Sequence, residues 1–355
     1  MTLVLPLVMA AAITATLAPL VRRLAVKTGV MDLPNERKVH KEAMPLMGGL
    51  SIFLGFWITA SLTQTFTKEL AAFAAGSLLV LIAGIWDDSK DMRPLVKFAF
   101  QLAATCIVVF IGGIRVTFVT SLFGANPMEL GWLALPFTIL WITGLTNAIN
   151  FVDGLDGLAA GISGIAAVTI GVISWMEGFS GVGVLALILG VSSIAFLRVN
   201  FPPANIFMGD TGALFLGFSL AVLSIMGLTK MATTVSIFLP VLVLGVPIFD
   251  MLLAIVRRVI NRKPVFLPDK DHLHHRLLAM GLSQRKVVLV VYGVCVLLGM
   301  SAIGISLMPT GQALMAIFFM TLAVLYSADK IGIIGRKVRE RQAAKDSSVA
   351  AERRR

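Results

Sequence analysis

Apolar blocks of about 18 to 22 residues, each with at most one charged residue, recur along almost the whole chain, and that length matches the ~30 Å hydrocarbon layer of a bilayer at 1.5 Å rise per residue. The apolar residues fill these blocks on all sides instead of marking one stripe, so the helices they form have no wet face. Eleven such segments can be drawn: 3–20, 47–65, 69–86, 95–113, 130–147, 156–174, 181–197, 211–229, 232–256, 287–306 and 311–329. The expected fold is an all-α polytopic membrane protein with about eleven transmembrane helices. Composition agrees, because only 14% of the 355 residues are charged and 57% are hydrophobic, where a soluble domain carries roughly 25% charged residues.

The N-terminal apolar run has no basic residues before it and two arginines after it, Arg22 and Arg23. A cleaved leader shows the reverse order, so a retained first span with its N-terminus outside is expected. The connections 21–46, 87–94, 148–155, 198–210 and 257–286, together with the tail from 330, then face the cytoplasm. Of the 30 lysines and arginines, 27 fall in or beside these segments, leaving Lys68, Arg115 and Lys230 outside. Such a bias is how a polytopic chain sets its own orientation. It also accounts for the net charge of +11 without nucleic acid, which is not an expected partner. Residues 1–329 read as one transmembrane catalytic domain, and 330–355 as a basic cytoplasmic tail near anionic lipid. Cys106 and Cys295 lie inside apolar blocks and read as packing residues. The 114–129 stretch reads as a short hairpin or a surface helix.

Orientation needs the cations but not the acids. All four histidines and the aspartates Asp87, Asp88, Asp91, Asp153, Asp156, Asp210, Asp269 and Asp271 also fall on the cytoplasmic side, in five motifs at helix ends. The first, MDLPNERKVHKEAMPLMGG (31–49), is basic and broken by Pro45, Gly48 and Gly49. It serves topology, or it holds phosphate through Lys38 and His40. The second, WDDSKD (86–91), concentrates Asp87, Asp88 and Asp91 at one helix end. Acids so close call for a cation, either Lys90 and Arg93 or Mg²⁺, which takes hard oxygen ligands and shares them with phosphates. The third, NAINFVDGLDGLAAG (147–161), spaces Asn147, Asn150 and Asp153 by three, on one face if the helix continues. Asp156 follows among glycines, and a DG turn is the plain alternative. In the fourth, NIFMGDTGALFLG (205–217), Asp210 and Thr211 look like an N-cap, where amides meet an anion and the carboxylate could hold a metal. The fifth, NRKPVFLPDKDHLHHRLLAMG (261–281), gathers His272, His274, His275, Asp269, Asp271 and Arg276. It lacks the i, i+4 histidine pair of a helical zinc motif, and its charges suit phosphate and sugar better. Acids for a divalent cation, with cations and imidazoles for phosphates, suit phosphoryl transfer, where positioning and charge neutralisation do most of the catalysis.

On these residues the chain resembles the polyprenyl-phosphate N-acetylhexosamine-1-phosphate transferases, from about residue 20 to 285. The motifs that carry it are RKVHKEAMPLMGG, DDSKD followed by Lys97 and Gln101, NAINFVDGLDGLAAG, FMGDTGALFLGF and DHLHHRL. The RK-x-H opening, the His-x-His-His form and an eleventh span with a basic tail resemble the WecA/TagO-like branch. The TPTMGG element and contiguous histidine triplet of MraY-like phospho-MurNAc-pentapeptide transferases are absent. The resemblance implies transfer of GlcNAc-1-phosphate from UDP-GlcNAc to undecaprenyl phosphate, giving undecaprenyl-pyrophosphoryl-GlcNAc and UMP. It implies a plasma-membrane location, a cytoplasmic active site, Mg²⁺ (with Mn²⁺ as substitute) and a homodimer as an allowed assembly. As catalytic residues it implies Asp87, Asp88, Asp153, Asp156, His272, His274 and His275; as substrate-binding residues Lys38, His40, Lys97, Asn147, Asn150 and Arg276; as metal ligands Asp88 and Asp210. An ion-coupled transporter is the competing class. Its acids would lie near the midplane, where only Asp250, beside Pro247, is a candidate.

Overall fold

A computed structural model describes residues 3–33, 43–119, 128–228, 238–260 and 272–330 of the protein. In chain order its helices are α1 (Val4–Thr28), α2 (Gly49–Thr63), α3 (Lys68–Lys90), α4 (Pro94–Cys106, continued by a π turn to Ile111), α5 (Ala134–Val152), α6 (Leu158–Met176), α7 (Ser180–Asn200), α8 (Gly209–Gly227), α9 (Phe238–Val243), α10 (Gly245–Ile260), α11 (Leu273–Ala279), α12 (Gln284–Ser306) and α13 (Thr310–Lys330). Among the described residues, eight segments are long and apolar enough to cross a membrane, formed by α1, α3, α4, α5, α6, α7, α8 and α12. Gly49–Thr63 and Gly311–Leu322 are shorter apolar helices. The molecule is thus an all-α polytopic membrane protein.

Two small antiparallel pairs complete it. β1 (Met31–Asp32) pairs with β2 (Met44–Pro45), and β3 (Phe118–Val119) pairs with β4 (Met128–Glu129). The second pair bears out the hairpin expected within 114–129, of which residues 120–127 lie outside the described set, and a single 3₁₀ turn follows at Gly131–Leu133.

The segment expected as one span at 232–256 is two helices, α9 and α10, meeting at Leu244; residues 229–237 lie outside the described set. Pro247 supplies the reason. It has no N–H to give the carbonyl of Val243, four residues back, so the ladder is interrupted there. Bonds on either side of the gap survive, from Leu244 N to Pro240 O (3.0 Å) and from Ile248 N to Leu244 O (3.1 Å).

At the centre stands α8, in which every residue from Thr211 to Gly227 is buried. After Asp210 this helix has no charged residue, so nothing forces a face of it outward. It packs mainly against α3 and α5. The approach to α3 is close because position 84 is glycine: a Cβ there would stand 2.5 Å from Thr211 Cα and 2.7 Å from the Asp210 carbonyl oxygen. Gly84→Leu should therefore prise α3 from α8 just where the acidic motifs meet. A drop in the thermal midpoint of purified protein in detergent is the expected result, and an unchanged midpoint would refute the close packing.

A second, smaller core lies apart from the main one. Val152, Leu155, Leu158 and Ile162 from the α5–α6 region pack with Leu277 of α11 and with Val287, Val288, Val291 and Cys295 of α12. It fastens the histidine-bearing helix to the turn that carries Asp153 and Asp156.

Candidate active site

Three motifs meet on one lysine. Lys97, in the first turn of α4, places its Nζ 2.6 Å from Asp87 Oδ2 and 2.6 Å from Asp210 Oδ2. Asp87 closes α3, and its other oxygen accepts from the Met92 amide (2.5 Å). Asn150 joins from α5. With its amide nitrogen turned toward Asp210, it donates to Oδ1 (2.5 Å), while its oxygen accepts from Lys97 (3.3 Å). One turn earlier, Asn147 donates to Gln101 Oε1 (2.7 Å) and to the Thr143 carbonyl (2.8 Å), tying α5 to α4. Lys97 and both carboxylates are largely buried, with side-chain exposures of 14%, 11% and 28%. In such surroundings charge–charge interactions are far stronger than in water.

Asp210 does not cap its own helix, contrary to the sequence expectation. α8 begins at Gly209 with no side-chain cap of its own. The cap comes from Asp88 on α3, whose Oδ1 accepts from the Asp210 amide (2.8 Å) and whose Oδ2 accepts from the Thr211 amide (3.2 Å) and hydroxyl (2.6 Å). Gly209 makes this possible. Its φ of +71° is in the left-handed region, and any Cβ would overlap the Asp88 carboxylate. Since Asp88 supplies the cap, the Asp210 side chain is left to face Lys97.

The α5 helix ends at Val152, so Asn147 and Asn150 share a helical face while Asp153 lies just past its end. Burial, then the neighbouring charges of Asp210, Asp88 and Asp156, hold the Asp153 carboxyl well above the usual carboxylate range. Asp153 therefore belongs electrostatically to the acid cluster, although no hydrogen bond reaches its carboxylate from the described residues. Asp156 has a different task. Its Oδ2 accepts from the Ala204 amide (3.0 Å), fixing the loop that leads into α8. The same loop is held by Asn200 on the Ile206 carbonyl (2.9 Å), Arg22 on Asn205 (3.0 Å) and Arg285 on Pro202 (2.7 Å).

The histidines form a second group beside this turn. His272 Nδ1 lies 2.8 Å from Asp250 Oδ2, and Asp250 Oδ1 accepts from the Leu273 amide (2.8 Å). The His272 and His274 rings are parallel within 1° with centroids 5.9 Å apart, and the His275 ring centroid lies 4.3 Å from that of His274. Arg276 continues the same short helix. The His274 imidazole lies against Gly154, with its buried Nε2 unpaired among the described residues. A buried nitrogen without a partner calls for an explanation, and an oxygen of a bound ligand would supply one.

Burial, then the charges of His275 and His272, lower the His274 pKa from 6.5 to about 3. A lowered folded value means stability that is whole above pH 6.5 and is lost as pH falls toward about 3, because the unfolded chain takes up the proton first. His274→Gln should therefore flatten the decline of the thermal midpoint below pH 6.5. Identical pH profiles for variant and wild type would refute the assignment.

The donor set bears on a cation. Among the described residues, no three His, Cys, Asp or Glu side chains already stand as a ready-made ligand cage. Mg²⁺ rarely uses one: it is held by one or two carboxylates and completes its shell with water and substrate phosphates. Asp87 and Asp210, both hard oxygen donors meeting at Lys97, fit that description. Asp88 has fewer lone pairs to offer, since it already accepts three hydrogen bonds of about four available.

Lys38 and His40, with Asp269 and Asp271, lie outside the described residues. The other predicted site residues fall into the two groups above or into the loop beside them, whereas Lys90, Asp91 and Arg93 are exposed around the end of α3, and the cation paired with Asp87 is Lys97. Motif reading missed Asp250, Asn200 and Arg285. Asp250 gave one signal, an acid inside an apolar span.

The model of glycosyl transferase family 4 matches residues 70–228, which contain the acid cluster. A Bacillus subtilis (strain 168) protein, named a probable undecaprenyl-phosphate N-acetylglucosaminyl 1-phosphate transferase, is 42% identical over 322 residues, covering 90% of each chain. The chain belongs to glycosyl transferase family 4. Two further relatives share less of its sequence. A Mycobacterium leprae decaprenyl-phosphate N-acetylglucosaminephosphotransferase is 35% identical over 312 residues, 80% of this chain and 78% of its own. The Escherichia coli K12 undecaprenyl-phosphate alpha-N-acetylglucosaminyl 1-phosphate transferase is 24% identical over 274 residues, 76% of this chain and 75% of its own.

Proposed function

We propose that this family 4 chain transfers GlcNAc-1-phosphate from UDP-GlcNAc to undecaprenyl phosphate, releasing UMP. The observation that carries the reading is the buried Lys97 shared by Asp87 and Asp210, within the stretch that the family model matches. The names of the relatives support the sugar and the lipid phosphate. In this reading the chain is a plasma-membrane protein of eleven spans, and the distribution of Lys and Arg supports a cytoplasmic site and tail. On the same reading the product is the first membrane intermediate of an envelope glycopolymer such as wall teichoic acid.

In this reading an oxygen of the lipid phosphate attacks the sugar-bearing phosphorus of UDP-GlcNAc. A new P–O–P bond forms, the bond to the uridine phosphate breaks, and UMP leaves with the bridging oxygen. The lipid phosphate needs little activation, because a monoester with second pKa near 6 is mostly dianionic at neutral pH. Lys97 holds phosphate oxygens, the imidazoles of His272, His274 and His275 with Arg276 hold the nucleotide side, and Asn150 fixes Asp210 and Lys97 relative to each other. Asp87 and Asp210, with Asp88 through its remaining lone pair, would hold Mg²⁺. When bound, that ion would neutralise charge on the phosphates in flight. Direct attack needs no covalent aspartyl intermediate, because the lipid phosphate is itself a charged oxygen nucleophile. Transport is less well supported: Asp250, the acid it would need, is paired with His272.

Purified protein should exchange labelled UMP into UDP-GlcNAc only when undecaprenyl phosphate and Mg²⁺ are both present. Chelation should abolish exchange, and Mg²⁺ or Mn²⁺ should restore it. Exchange that persists without the lipid, or survives chelation, would refute the reading.

A further inference from the structure

We propose that Tyr292, which belongs to none of the five motifs, is a positioning residue for the transfer. This rests on the transferase reading. Tyr292 lies on α12, and its hydroxyl donates to the carbonyl of Gly157 (2.5 Å). Gly157 closes the turn that carries Asp153 and Asp156, and its φ is +71°. Its amide is held as well, by Asn200 Oδ1 (3.0 Å). One turn into α6, Gly161 leaves the space the phenol occupies: a Cβ there would overlap the Tyr292 ring. The ring is thus slotted against α6, with its hydroxyl on the acid-bearing turn.

The same helix grips the other acid-bearing segment. Seven residues earlier, Arg285 donates to the Pro202 carbonyl (2.7 Å), on the loop that runs into Gly209 and Asp210. Between these two grips, Val287, Val288 and Val291 sit in the small core shared with Leu277 of the histidine helix. One rigid helix therefore sets the distance between the Asp153 turn, the Asp210 loop and the histidines. In phosphoryl transfer such spacing decides rate, and a misplacement of about 1 Å can cost about a hundredfold.

Removing the hydroxyl spares the fold. Gly157 O also accepts from the Gly161 amide (2.9 Å), so Tyr292→Phe leaves no orphaned carbonyl. The expected result is a roughly tenfold fall in kcat with KM for UDP-GlcNAc and for undecaprenyl phosphate within about twofold of wild type. The thermal midpoint in detergent should hold, and backbone hydrogen exchange across 153–161 should quicken. Wild-type kcat in the variant, unchanged exchange across 153–161, or a kcat loss accompanied by a fallen midpoint would each overturn the proposal. If wild-type protein itself shows no UMP exchange, the transferase reading fails, and hydrogen exchange still decides whether Tyr292 holds the turn.

Discussion

Asp210→Asn should lower UMP exchange by about 10²–10³-fold, the usual cost of removing one preorganised electrostatic group from a buried site, while leaving the thermal midpoint where it is. The reasoning follows from Lys97. In the wild type one ammonium serves two carboxylates, each 2.6 Å away, with Asp88 close enough to add negative charge. Neutralising Asp210 relieves that crowding, and Lys97 keeps Asp87 as its partner. The fold thus loses little, but the site loses a charge that would face the metal and the phosphates. Activity near wild type would remove Asp210 from the chemistry. A collapsed midpoint would instead make it a structural residue.

Asp88→Ala should behave differently, losing both activity and stability. Asp88 accepts the amides of Asp210 and Thr211 and the Thr211 hydroxyl, so alanine leaves three donors unpaired at the start of a buried helix. Loss of a helix cap alone costs about 1 kcal/mol, within a range of 0.5–2. Activity should fall about a hundredfold because Asp210 is no longer held at its place beside Lys97. Asp88→Asn keeps one acceptor oxygen and should recover part of the stability in thermal melts, with less recovery of exchange activity. Should Asp88→Ala melt like the wild type, the inter-helix cap would be refuted.

Much of this site could be read from the sequence because its parts are local. Asp87 and Asp88 stand side by side, Asn147 and Asn150 share a helical period, and three histidines fall within four residues; each makes a polar island in an apolar chain. The partners were harder to see. Asp88 finds its donors 122 and 123 residues away, and no periodicity encodes such a pairing. The N-cap expectation for Asp210 was reasonable locally, yet an acid on a neighbouring helix reached those amides first. Asp250 looked like a lone acid in a span until His272, 22 residues on, supplied its partner. Tyr292 carries no sequence signal at all, since a tyrosine in an apolar helix reads as packing. The fold was legible as apolar blocks, eight of which form helices long enough to cross a membrane among the described residues; the blocks at 47–65 and 311–329 hold shorter apolar helices, and the interruption at Leu244 required the missing amide of Pro247 to be weighed against the hydropathy.

The start of α8 is a natural seat for a free anion: two backbone amides and a hydroxyl point outward with the helix dipole behind them. Asp88 sits in it permanently, as a tenant drawn from the chain itself. Inorganic phosphate, chloride or spent UMP in the surrounding solution therefore finds no open seat at that helix end. Among the described residues, the groups proposed to hold phosphate are Lys97, the imidazoles and Arg276, away from that helix end. In the proposed transfer a substrate would reach both groups at once, where a small anion would reach only one.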